Sequence, residues 1–203
     1  MRTVSPLLAQ NFKSSFLSCE KDYETILKKL LVTSKPFSDM LKRLLIINMP
    51  DCLDTSNAVY QDIIDSHSFA DMLEKGYIRT TPRIGFGQHE EVRSYILLEF
   101  DDFTMTSNPE FRDTFVTFNI FCHLDHWEMD DFKIRPYQIA GYMDGILNES
   151  RLSGIGTLQF VGASTMVLDE SLGGILLRYR ATHGSDDQLP PEIQMTGNSH
   201  EEV

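Results

Sequence analysis

Apolar and polar positions alternate most sharply over residues 114–123, TFVTFNIFCH. Val116, Phe118, Ile120 and Cys122 share one face of a strand, and Phe115, Thr117, Asn119, Phe121 and His123 share the other. The first face is wholly apolar. The second mixes two phenylalanines with polar side chains, so the pattern predicts partial cover, by a helix or by a neighbouring subunit. The other elements are arranged around this strand.

Before it, helical spacing marks four segments. Residues 22–32 place Tyr23, Ile26, Leu27, Leu30 and Leu31 on one stripe, with Asp22 and Glu24 near the start and Lys28 and Lys29 near the end, as the helix dipole favours. Residues 37–47 turn Phe37, Met40, Leu41, Leu44, Leu45 and Ile47 inward, and Pro50 and Asp51 stop them. Ser56 or Asn57 can cap a third helix carrying Val59, Tyr60, Ile63 and Ile64. A shorter piece with Phe69, Met72 and Leu73 ends near Gly76. Residues 79–88, with Pro82, Gly85 and Gly87, read as a turn-rich connector or irregular edge strand. A strand is predicted over 95–100, then an acidic loop over 101–113 leads to the central strand, as in an antiparallel pair.

After it, residues 123–133 read as a second acidic loop and 136–148 as a helix opened by Pro136, with Ile139, Tyr142, Met143, Ile146 and Leu147 inward. Gly141 and Gly145 either allow close approach to the sheet or another helix, or are simply tolerated. Strands over 156–161, continuing through 164–168, and over 175–183 close the domain, with residues 169–174 as the reversal. In the last strand Ile175, Leu177 and Tyr179 face one side, Arg178 and Arg180 the other. The fold class is therefore α+β: a mostly antiparallel sheet with a helix packed on one face, plus an N-terminal helical segment. Residues 1–79 form that segment, 80–183 the α+β domain, and 184–203, with five acidic residues and a Pro pair, a flexible acidic tail.

Composition narrows the function classes. The chain has 203 residues, 41% of them apolar, enough for a sizeable core, and its apolar runs are too short to span a bilayer, so no membrane role is expected. The polar, broken N-terminal pattern predicts no export signal. Cys19, Cys52 and Cys122 form no C-x-x-C pair, which argues against a disulfide framework or a zinc knuckle. The net charge of −12 lies wholly beyond residue 79, since residues 1–79 carry ten basic and ten acidic side chains. Such a domain does not grip nucleic acid by its phosphates.

Candidate chemistry is sparse. His123, Asp125, His126, Asp130 and Asp131 are potential metal ligands, but the H-x-x-H spacing at a strand end lacks the helical i, i+4 pair and the general base of zinc hydrolases, so an acidic surface loop is expected and no metal or cofactor. Glu99, Asp101 and Asp102 have no nucleophile to serve and read as solvated charges. Neither the glycines at 85–87 and 154–156 nor Ser153 and Ser164 extend to a phosphate-binding or hydrolase motif. No catalytic residue is expected.

The order strand, acidic loop, strand, loop, helix, strand, strand, with RPYQIAGYMDGILNESRLSGIGTLQF followed by GGILLRYRATH, resembles the tail terminator and tail completion proteins of long-tailed bacteriophages over about residues 92–183. The helical N-terminal third exceeds what the short members of that group carry. The resemblance implies a non-enzymatic virion protein: a subunit of a ring, commonly a hexamer, that caps the tail tube and joins it to the head connector while double-stranded DNA passes without tight binding. Asp101, Asp102, Asp130, Asp131, Arg178 and Arg180 are then the expected ring-interface or channel-facing residues. The competing classes are a protein-binding adaptor using the helical third and a small metal-dependent hydrolase using the His123–Asp131 loop.

Overall fold

The computed structural model describes residues 19–80, 93–108 and 111–184. The polar, broken N-terminal stretch, Pro82, Gly85 and Gly87 of the connector, and the acidic tail beyond Gly184 lie outside the described residues. Helix α1 (Cys19–Lys28) runs into a π-helical turn over Lys29–Thr33. It is followed by α2 (Phe37–Ile46), α3 (Ala58–Asp65) and α4 (Phe69–Glu74). The caps are those the residue types favour. Asn57 accepts from the Val59 N–H at the start of α3, and Ser68 forms a reciprocal capping box with Asp71 on α4. Gly76, at φ 71°, takes the left-handed conformation that lets the chain leave α4.

The sheet comprises β1 (Ile78–Arg79), β2 (Ser94–Met105), β3 (Phe111–His123), β6 (Gln159–Val167) and β7 (Leu172–Gly184), in the order β1-β2-β3-β7-β6. All neighbours are antiparallel except β1 and β2. Helix α5 (Arg135–Leu147), with proline in its first turn, and a small hairpin of β4 (Arg151–Leu152) and β5 (Gly156–Thr157) connect β3 to β6. The central strand is central in space as well, hydrogen-bonded to β2 on one side and β7 on the other.

One face of this sheet carries the core. Val116, Phe118, Ile120 and Cys122 are fully buried with Ile96 and Leu98 of β2 and Ile175, Leu177 and Tyr179 of β7. Onto them pack Ile26, Leu27, Leu30 and Leu31 of α1 and its π-turn, Leu41, Leu44 and Leu45 of α2, and Ile139, Met143, Ile146 and Leu147 of α5. Each such side chain contributes about 1.5–3 kcal/mol by leaving water. Helices and sheet thus share a continuous core that crosses residue 79.

Three expectations are corrected. The helices do not cover the mixed face of β3; all pack on its apolar face, because that is where their own apolar stripes find matching surface. The acidic loop over 101–113 is mostly strand: β2 continues to Met105 and β3 begins at Phe111, so only 106–110 separate them. Phe37, expected inward, is exposed, as is Val59 of α3. Gly141 and Gly145 are tolerated glycines, since a Cβ on either would touch nothing within 4 Å.

Candidate functional site

Among the described residues every helix packs on one side, which leaves the other face of the sheet open. It has two zones. At one end Tyr95, Leu97 and Phe121 form a small apolar cluster with Met166, the Tyr95 and Phe121 rings stacked 5.0 Å apart and the Arg79 guanidinium 4.6 Å over Tyr95. Beyond it the face becomes polar and pairs across strands. Asn119 donates to Glu99 at 2.8 Å and the Thr117 hydroxyl to Asp101 at 2.6 Å.

The two arginines predicted to share a face do so and are both occupied. Arg178 donates to Asp102 and lies 3.9 Å over the Phe115 ring; Arg180 donates to Asp113 at 2.6 Å, which also accepts from the Thr182 hydroxyl at 2.8 Å. Asp102 reaches Arg178 because the β2–β3 register shifts between Asp101 and Thr104, and Asp102 itself takes φ 51°. These hydrogen bonds hold the Asp113 carboxyl below its usual range, Arg180 contributing most. Exposed pairs of this kind are worth about 0–1 kcal/mol each, so they orient side chains more than they stabilise the fold. Four carboxylates, those of Glu99, Asp101, Asp102 and Asp113, face two guanidiniums.

Asp130 and Asp131 are not part of this face. They lie in the connection from β3 to α5, in a 3-10 turn where Asp131 and Phe132 both have φ 58° and Phe132 is fully exposed. With Asp51 and Asp54 they line a shallow cavity of about 270 Å³. The expected site set is therefore split: Asp101, Asp102, Arg178 and Arg180 come together, and the Asp130–Asp131 pair stands apart. In the same connection, the His123 and His126 rings are 6.3 Å apart and His123 Nδ1 accepts from the Asp125 N–H. Burial and the neighbouring Arg135 push the His126 pKa down. Among the described residues, no group of three or more His, Cys, Asp or Glu is placed to hold a metal ion.

Two features were not foreseen from the sequence. Arg135, read only as part of a helix start, is fully buried and satisfied by main-chain carbonyls: Nη1 donates to Leu44 and Ile47, Nη2 to Met49 and Nε to His126, all at 2.8–2.9 Å. It closes the exposed carbonyl end of α2 and ties that helix to α5. The second is β6, an outer strand whose nine residues are all exposed or half-buried. Its uncharged composition was the available signal.

The profile of one family, YomW, matches residues 38–181, nearly three quarters of the chain and every element from α2 to β7. The chain belongs to the YomW family. YomW is a phage-type family, which agrees with the phage origin implied by the resemblance. The YomW match runs across residue 79, as the core does. A search of curated proteins finds no match. No helix of the described residues is long and apolar enough to cross a membrane.

Proposed function

We propose that this YomW-family chain is a non-catalytic structural subunit of a phage neck. It would be one of a ring, six copies in the form expected from the resemblance, that caps the tail tube and joins it to the head connector. The observation that carries this reading is the open sheet face, where both guanidiniums of Arg178 and Arg180 are already engaged by carboxylates. Asp101, Asp102, Asp130 and Asp131 are among the carboxylates that give the chain its net charge of −12. A face on which Arg178 and Arg180 are engaged and four carboxylates stand repels phosphates and lets double-stranded DNA slide past where a basic one would hold it.

The test is a deletion in the phage that encodes the chain. Filled heads and finished tails that fail to join, with joining restored by the wild-type gene and the protein found at the neck of complete particles, are expected. Normal yields of infectious particles lacking the protein overturn the reading. One observation favours the adaptor alternative: a groove of about 440 Å³ between α1, α4 and β1, lined by Tyr23, Leu27, Phe69, Leu73 and Ile78. In that case a ligand protein would bind the helical side, and substitutions in the groove would abolish binding while leaving head-tail joining intact.

A further inference from the structure

A sheet edge is a row of unpaired N–H and C=O groups, and proteins that remain monomeric defend it with Lys, Pro, inward charges or a bulge. β2 carries such defences: Glu99, Asp101 and Asp102, with a register shift at the last two. β6 carries almost none. Gln159–Val167 contains no charged residue and no proline, and it pairs only with β7, so among the described residues no strand lies beyond it. The Phe160 N–H is taken by the Asn148 side chain at 3.2 Å, and a register shift falls between Phe160 and Gly162. From Gly162 to Val167 the strand runs in regular register. Its side chains are open on both faces; Val161 is 53% and Val167 75% exposed.

Charge decides which occupant fits. On a chain of net −12, two copies repel across most approaches, and β6 is a strip where approach sets no carboxylate against another. The strand is also self-complementary. An antiparallel pairing centred on Ala163 sets Gly162 against Ser164 within the regular segment, so small residues lie at the two-fold axis and let the two backbones approach. We propose that β6 pairs in this way with β6 of a second copy, joining the two sheets into one. The pairing consumes this edge on both copies, so association through β6 stops at two. This goes beyond the neck reading and does not rest on it.

The test uses the full-length chain. Sedimentation of the wild type is expected to give a concentration-dependent doubling of mass, which Thr165→Lys and Val167→Lys abolish with unchanged melting temperatures, since both positions are exposed. Ala163→Cys, once oxidised, is expected to give a disulfide-linked dimer, because directly opposed Cβ atoms lie about 4.5–5.5 Å apart. A wild type that remains monomeric throughout its soluble range overturns the proposal, and so does a dimer indifferent to both lysines. Dimerisation is read on isolated protein and the neck role on particles, so failure of one is distinct from failure of the other.

Discussion

Replacing Arg135 with methionine tests what joins the helices to the sheet. Methionine keeps most of the apolar stem and removes the whole donor set. Leu44 and Ile47 then lose the donor bonded to their carbonyls at 2.9 and 2.8 Å, in a site with no solvent access at the guanidinium. Met49 and His126 fare better, since both bonds are only part-buried and the Met49 carbonyl also accepts from the Cys52 N–H at 3.2 Å. With about 1–3 kcal/mol for each buried group left unsatisfied, the two orphaned carbonyls set a loss of about 4 kcal/mol. That is a large share of the roughly 5–15 kcal/mol that stabilises a domain. For a chain of this size it corresponds to a fall in Tm of about 8–16 °C. Urea unfolding monitored by circular dichroism measures it directly, as a lower midpoint at unchanged slope. Arg135→Lys keeps the charge but cannot span carbonyls on both sides, so about half the loss is expected to remain. A cost below about 1 kcal/mol for the methionine variant refutes the assignment, because it would mean that these carbonyls find other donors at no penalty.

Further outcomes follow from single contacts. The folded pKa of Asp113 is lowered, so its contribution to stability is fully present above the unfolded carboxylate value of about 3.9 and is lost as pH falls through the folded value; Asp113→Asn should flatten the acid limb of a stability–pH profile. Gly174→Ala should abolish folding or lower Tm sharply in thermal melts, because a Cβ there would overlap the Ile120 carbonyl oxygen in the β3–β7 ladder. Ser68→Ala removes the capping box of α4 and should cost about 1 kcal/mol in urea unfolding. Cys52 and Cys122 are buried, with the Cys122 thiol pushed up to about 12 by burial, so an aromatic disulfide reagent at pH 8 should label Cys19 alone until the protein is unfolded.

Period and caps were legible where the local pattern and the final environment agreed. The two faces of β3, the span of α5, the Asn57 cap and the opposed sides of the last strand are all local consequences of residue type and spacing. What failed was long-range. Asp101, Asp102 and Asp113 look like loop residues because carboxylates disfavour strands, yet Asp101 accepts from Thr117 across the ladder and Asp102 and Asp113 are paired with arginines some seventy residues further along the chain. Arg135 looks like a solvated helix start because its acceptors are carbonyls of Leu44, Ile47 and Met49, which no side-chain pattern reveals. The candidate site was legible only in part for the same reason. Arg178 and Arg180 follow from strand alternation, whereas the separation of Asp130 and Asp131 from them depends on how the β3–α5 connection folds.

The strand order also sets a sequence of events during synthesis. β7 is the last strand described, yet it lies between β3 and β6. Until it leaves the ribosome, β6 has no hydrogen-bonding neighbour in its own sheet and β3 is paired on one side only. The nascent chain must therefore keep the apolar face of β3 and the bare β6 strand in solution for the time needed to make residues 172–184, and the sheet can be completed only once those residues have emerged. A ribosome stalled before Leu172 would hold helices and half a sheet, a species prone to associate through surfaces that the finished protein buries.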